Sequence, residues 1–136
     1  MISANELRIG NYVASDHFKD RDVIVKVRLI GQDQAIVEHP NGLSEPMLYK
    51  GEMRGIVLTE ELLLKCGFRL DKSTSDIKLF LPVPKLSVEI HATFYHGQFV
   101  IELVNHLVPI VTEATYLHQL QNLHYALCGK ELEVKL

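Results

Sequence analysis

The chain has 136 residues, 47% of them hydrophobic and 23% charged, with a formal net charge of -3. That size and balance describe one compact soluble domain, or two small ones sharing a core, able to fold without a disulfide framework or a structural metal.

Cys66 and Cys128 are too few for a disulfide scaffold and have no CxxC spacing, which fits a reducing compartment. The segment Met1-Ile2-Ser3-Ala4-Asn5-Glu6 has no basic head followed by an apolar run, and no stretch reaches the length of a membrane span. A cytoplasmic protein is expected. Residues 1–57 carry seven Lys or Arg against eight Asp or Glu, and residues 58–136 carry seven against nine. Without a basic block, strong non-specific affinity for nucleic acid is disfavoured, because that affinity comes from cations displacing counterions around phosphates.

The expected architecture is α+β: an N-terminal small SH3-like β-barrel unit over residues 1–57, followed by an α+β unit over 58–136. In chain order, a strand is predicted around Asn11 to Ala14. The β-branched run Val23 to Ile30 is predicted to fold back at Gly31-Gln32-Asp33 onto Gln34 to Glu38, and a later strand is placed around Gly55 to Leu58, after turns at Pro40-Asn41-Gly42 and Glu45-Pro46. A short helix follows, with Thr59 as its cap, Glu60 and Glu61 at its electropositive end and Gly67 as its stop.

From Asp76 onward an antiparallel meander is expected: Ile77 to Leu81, Leu86 to Tyr95 and a strand after the two-residue turn His96-Gly97. That turn pairs Phe94 with Phe99, Ala92 with Ile101, Ile90 with Leu103 and Val88 with Asn105 on one face. Thr93 with Val100, His91 with Glu102 and Glu89 with Val104 fall on the other. Leu107 to Val111 is predicted as an edge strand because of Pro109. One long helix from about Glu113 to Cys128, capped by Thr112 and ended by Gly129, is expected to cover the meander with Tyr116, Leu117, Leu120, Leu123, His124 and Leu127.

No complete catalytic set emerges. His91 opposite Glu102 forms an acid–base pair without a nucleophile, and His124 with Cys128 is two ligands short of a typical zinc site. The glycines match no phosphate-cradling loop, so no cofactor, metal or catalytic residue is expected. The helix stripe His118, Gln121, Asn122 and Tyr125, with Gln119 beside it, carries amides, an imidazole and a phenol where Lys and Glu usually stand. It is therefore the candidate binding face, covered by the same chain, a second copy or a protein partner. The alternative is nucleic-acid binding through the barrel, using Lys26, Arg28, Lys50 and Arg54.

Three segments, Glu6–Val13, Leu58–Phe68 and Leu117–Leu132, together resemble a group of short uncharacterised proteins of Bacteroides-type bacteria, often encoded in prophages and other mobile elements. The resemblance implies no catalytic residues. It implies an accessory protein acting on or beside phage or host machinery; it also implies that the positions of Cys66, His124 and Cys128 are commonly aromatic, aromatic and threonine, so that His124 and Cys128 depart from the pattern as packing variants.

Overall fold

The computed structural model describes residues 2, 6–15, 23–39, 42, 44–73, 77–83, 86–105, 108–112 and 114–136. Expectations placed on Pro40-Asn41, Asp76, Leu107 and Glu113 lie outside these residues. The fold is α+β, with two antiparallel sheets and two α-helices among the described residues. It divides into unit 1, Met1–Ile56 with Tyr116–Asn122, and unit 2, Val57–Thr115 with Leu123–Leu136.

Unit 1 is built on a four-stranded sheet, β1 (Tyr12–Ser15), β2 (Val23–Ile30), β3 (Gln34–Glu38) and β4 (Met47–Tyr49), in that order. Alternation puts Val13, Val25, Val27, Ala35, Val37 and Leu48 on one buried face, where Ile2, Leu7 and Met53 join them. Past β4 a 3-10 turn (Lys50–Glu52) returns the chain so that Arg54 bridges Ala14. Two backbone hydrogen bonds of 2.9 and 2.8 Å make that bridge, and the sheet curls into a half-barrel. The strand expected at Gly55 to Leu58 is replaced by β4 and the Arg54 bridge. The Tyr116 ring fills the space beside Gly55: a Cβ there would stand 2.5 Å from the Tyr116 Cγ.

Unit 2 has a five-stranded sheet, β5 (Arg69–Leu70), β6 (Lys78–Val83), β7 (Val88–Tyr95), β8 (Gln98–Asn105) and β9 (Val108–Val111). All seven cross-strand pairs expected about His96-Gly97 are present. The turn residues have φ of 49° and 83°, the left-handed pair that a two-residue hairpin needs to match strand twist. Helix α1 (Glu60–Lys65) is capped by the Thr59 hydroxyl, which accepts from the Leu62 N–H at 3.1 Å. It ends in a Schellman motif: Gly67, at φ 91°, donates to the Leu64 carbonyl and Phe68 to that of Leu63. The short strand β5 has no counterpart among the expected elements, and β6 runs through Pro82 and Val83, past the Leu81 end expected for it.

Helix α2 spans Leu117–Cys128, one turn shorter than expected. The Thr112 hydroxyl accepts from the Ala114 N–H at 3.2 Å and donates to the Ile101 carbonyl at 2.8 Å, so it forms a local turn and not a helix cap. The cap position falls to Tyr116, whose N–H is taken by the Gln119 side chain at 3.0 Å, and Gly129 ends the helix at φ 71°. Its residues up to Asn122 belong to unit 1 and those from Leu123 onward to unit 2.

Candidate functional site

The segment Arg8-Ile9-Gly10-Asn11 is a tight turn in unit 1. Gly10 has φ of 99°, the Asn11 N–H donates to the Arg8 carbonyl at 3.0 Å, and the Asn11 side chain accepts from the Arg8 N–H at 2.8 Å. Helix α2 reads this turn with its amides. Gln121 accepts from the Tyr12 N–H at 2.9 Å and donates to the Gly10 carbonyl at 3.2 Å. Asn122 accepts from the Asn11 amide at 2.8 Å and donates to the Glu6 carbonyl at 3.1 Å. Residues of the N-terminal turn and of α2, more than 100 positions apart, thus meet here.

This bracket changes the reading of the helix stripe. His118 and Gln121 are each 1% exposed, and Asn122 is half-buried, so the amides are consumed within the chain. An uncharged polar stripe is what such packing requires, because amides satisfy backbone groups without the cost of desolvating an ion. Gln119 serves the helix start and Tyr125 remains exposed. His118 has no hydrogen-bond partner on either ring nitrogen and stacks on Tyr116, with ring centroids 6.0 Å apart and planes 10° from parallel. Burial holds its pKa below the ordinary value, partly offset by the Glu6 carboxylate.

Of the four basic residues, Arg28 and Lys26 have side-chain partners among the described residues. Arg28 sits at a β-bulge between Val27 and Leu29 and is paired with Glu38 at 3.2 Å and Glu45 at 3.8 Å. Lys26 lies over the Tyr12 ring, 5.9 Å from its centroid, and Arg54 is the strand bridge to Ala14. Lys50 begins the 3-10 turn after β4. In unit 2, His91 faces Glu102 in the register as expected, but its nearest carboxylate is Glu89 on its own strand, 3.8 Å from Nε2. Among the described residues, no group of three or more His, Cys, Asp or Glu is placed to hold a metal ion. No helix among them is long and apolar enough to cross a membrane.

An apolar groove of about 190 Å³ lies at the β2–β3 hairpin end of unit 1, lined by Leu29, Ile30, Ala35, Ile36 and Met47. Leu29 is 57%, Ile30 37% and Met47 43% exposed. The bulge at Arg28 creates this surface by breaking the alternation of β2, so that residues 28 to 30 are all exposed. Beside the groove, β4 is the edge of the sheet. Val37 donates to the Pro46 carbonyl and Ala35 is the register partner of Leu48, so Pro46 and Leu48 aim their backbone groups at β3 while Met47 and Tyr49 aim theirs away. The outward Tyr49 N–H is taken by the Glu52 carboxylate at 3.1 Å. Sequence reasoning missed this site, although one signal was present. Two large apolar residues in succession before Gly31 cannot both face a core from a regular strand.

Comparison with protein-family models, with curated proteins and with solved structures finds no match for the chain.

Proposed function

We propose that this is a non-enzymatic binding protein acting through protein–protein contacts, with the groove beside β4 as its contact surface. The observation that carries this reading is the juxtaposition of three exposed large apolar side chains, Leu29, Ile30 and Met47, with a sheet edge. Apolar groups gathered around a groove gain from being covered, and an outward-facing strand edge offers main-chain hydrogen bonds to an extended segment. The partner in this reading is a polypeptide that adds a short strand to β4 and sets an apolar side chain into the groove. We read the curled sheet of unit 1 as a small SH3-like barrel and the setting as cytoplasmic. The resemblance to mobile-element proteins adds the proposal that the partner belongs to phage or host machinery.

The test is selection of a displayed random-peptide library on the purified protein, followed by calorimetric titration of enriched peptides. Enrichment of apolar, β-prone peptides whose affinity falls at least tenfold in Leu29→Asp supports the reading. No enrichment, or binding indifferent to Leu29→Asp and Met47→Asp, overturns it. Salt-sensitive binding of single-stranded DNA, lost in Lys26→Ala, would place function on the basic residues instead.

A further inference from the structure

One row of side chains crosses the whole sheet of unit 2. The register pairs Arg69 with Phe80, Phe80 with His91, His91 with Glu102 and Glu102 with Val111, so the five stand side by side on one face of β5 to β9. Leu79, Ile90, Ala92 and Ile101, their neighbours along the strands, are fully buried on the other face. The row stays partly open to solvent: Arg69 and Val111 are exposed, and Phe80, His91 and Glu102 are half-buried. We propose that this face is a dimer interface, on which a second copy of the chain lies turned by a two-fold axis that runs parallel to the strands between β6 and β7. It is distinct from the groove beside β4.

The charges on this face are split by side. The cations Arg69 and Lys78 lie on β5 and β6, and the carboxylates Glu89 and Glu102 on β7 and β8. Asp71, just past the end of β5, is held by Ser73, which donates to it from its N–H at 2.9 Å and its hydroxyl at 2.6 Å. Neither Arg69 nor Glu102 has an ion-pair partner among the described residues. Within one chain they stand three strand spacings apart, about 14 Å. That exceeds the roughly 8 Å over which exposed charges act on each other at physiological salt.

The two-fold axis brings them together. Turning the sheet about it exchanges β5 with β8 and β6 with β7, so each Arg69 faces Glu102 of the second copy and each Phe80 faces His91 of the second copy. Sheets packed face to face stand about 10 Å apart, a gap that an arginine and a glutamate bridge from opposite sides. Phe80 and His91, with ring centroids 6.4 Å apart in one chain, become a cluster of four rings at the axis. Pro82, Val100 and Val104 share the face and gain from the same cover. Every contact is made twice by one surface, as an isologous interface requires.

Sedimentation equilibrium of the full chain over a concentration series tests this, with circular dichroism as the check on folding. A monomer–dimer equilibrium is expected. Arg69→Glu and Glu102→Arg each set like charges opposite one another twice per dimer, so each should raise the dimer dissociation constant at least tenfold. An equimolar mixture of the two variants should associate again, because both contacts of the mixed dimer then join opposite charges. The double variant, Arg69→Glu with Glu102→Arg, should dimerise by itself for the same reason. A monomer throughout the series, a dimer indifferent to both changes, a dimer lost in Leu29→Asp, or a loss that neither the mixture nor the double variant recovers would each overturn the proposal.

Discussion

Replacing Gln121 by Ala removes both amide contacts to the turn at Gly10. The Tyr12 N–H and the Gly10 carbonyl, held at 2.9 and 3.2 Å, are then left without their partner. An orphaned buried backbone group costs about 1–3 kcal/mol, so the pair costs about 2–6. Release of the ordered Gln side chain returns up to about 2 kcal/mol. A net loss of about 2–3 kcal/mol is expected, a large part of the roughly 5–15 kcal/mol that holds a domain folded. The chain has no Trp, so urea unfolding followed by far-UV circular dichroism is the assay, read as a shift in midpoint at unchanged slope. Gln121→Glu sharpens the test. Its carboxylate can still accept from Tyr12 but cannot donate to Gly10 until protonated, so this variant should regain stability relative to the unaltered protein as pH falls. A loss below about 0.5 kcal/mol for Gln121→Ala, or no acid recovery in Gln121→Glu, would refute the bracket as a source of stability.

Two further outcomes follow from the same unit. His118 is buried, unpartnered and lowered in pKa by desolvation, so the unfolded chain binds its proton first. Its contribution to stability is complete above about pH 6.5, the ordinary histidine value, and is lost as pH falls through that value toward the lowered one. His118→Phe should flatten this slope in pH-dependent urea midpoints, and an unchanged slope would exclude His118 as its origin. Gly55→Ala brings a Cβ to 2.5 Å from the root of the Tyr116 ring, where rotation of the ring tip gives no relief. It should cost about 1–3 kcal/mol in the unaltered protein and much less when introduced into Tyr116→Ala; an equal cost in both backgrounds would show that the contact is not the cause.

How far the sequence reached depends on the range of the forces involved. The His96-Gly97 hairpin and its whole register were legible, because a two-residue turn leaves one way to place the apolar residues of both strands on one face. Helix α1 was legible for a similar reason: Thr59, Gly67 and Phe68 act on backbone groups within a few residues. The start of α2 was not, since the Thr112 hydroxyl had two backbone uses open to it and turned to the Ile101 carbonyl, 11 residues away. The stripe on α2 was recognised as unusual, but its meaning lay more than 100 residues away in the turn at Gly10, and no local pattern connects the two. The groove beside β4 depended on a bulge at Arg28 that shifts one strand against another. Local chemistry, read along the chain, therefore determined the α+β class, most strands and the helix stop signals. Only tertiary structure decided which polar groups satisfy one another inside and which apolar ones are left outside, because both outcomes are set by partners distant in sequence.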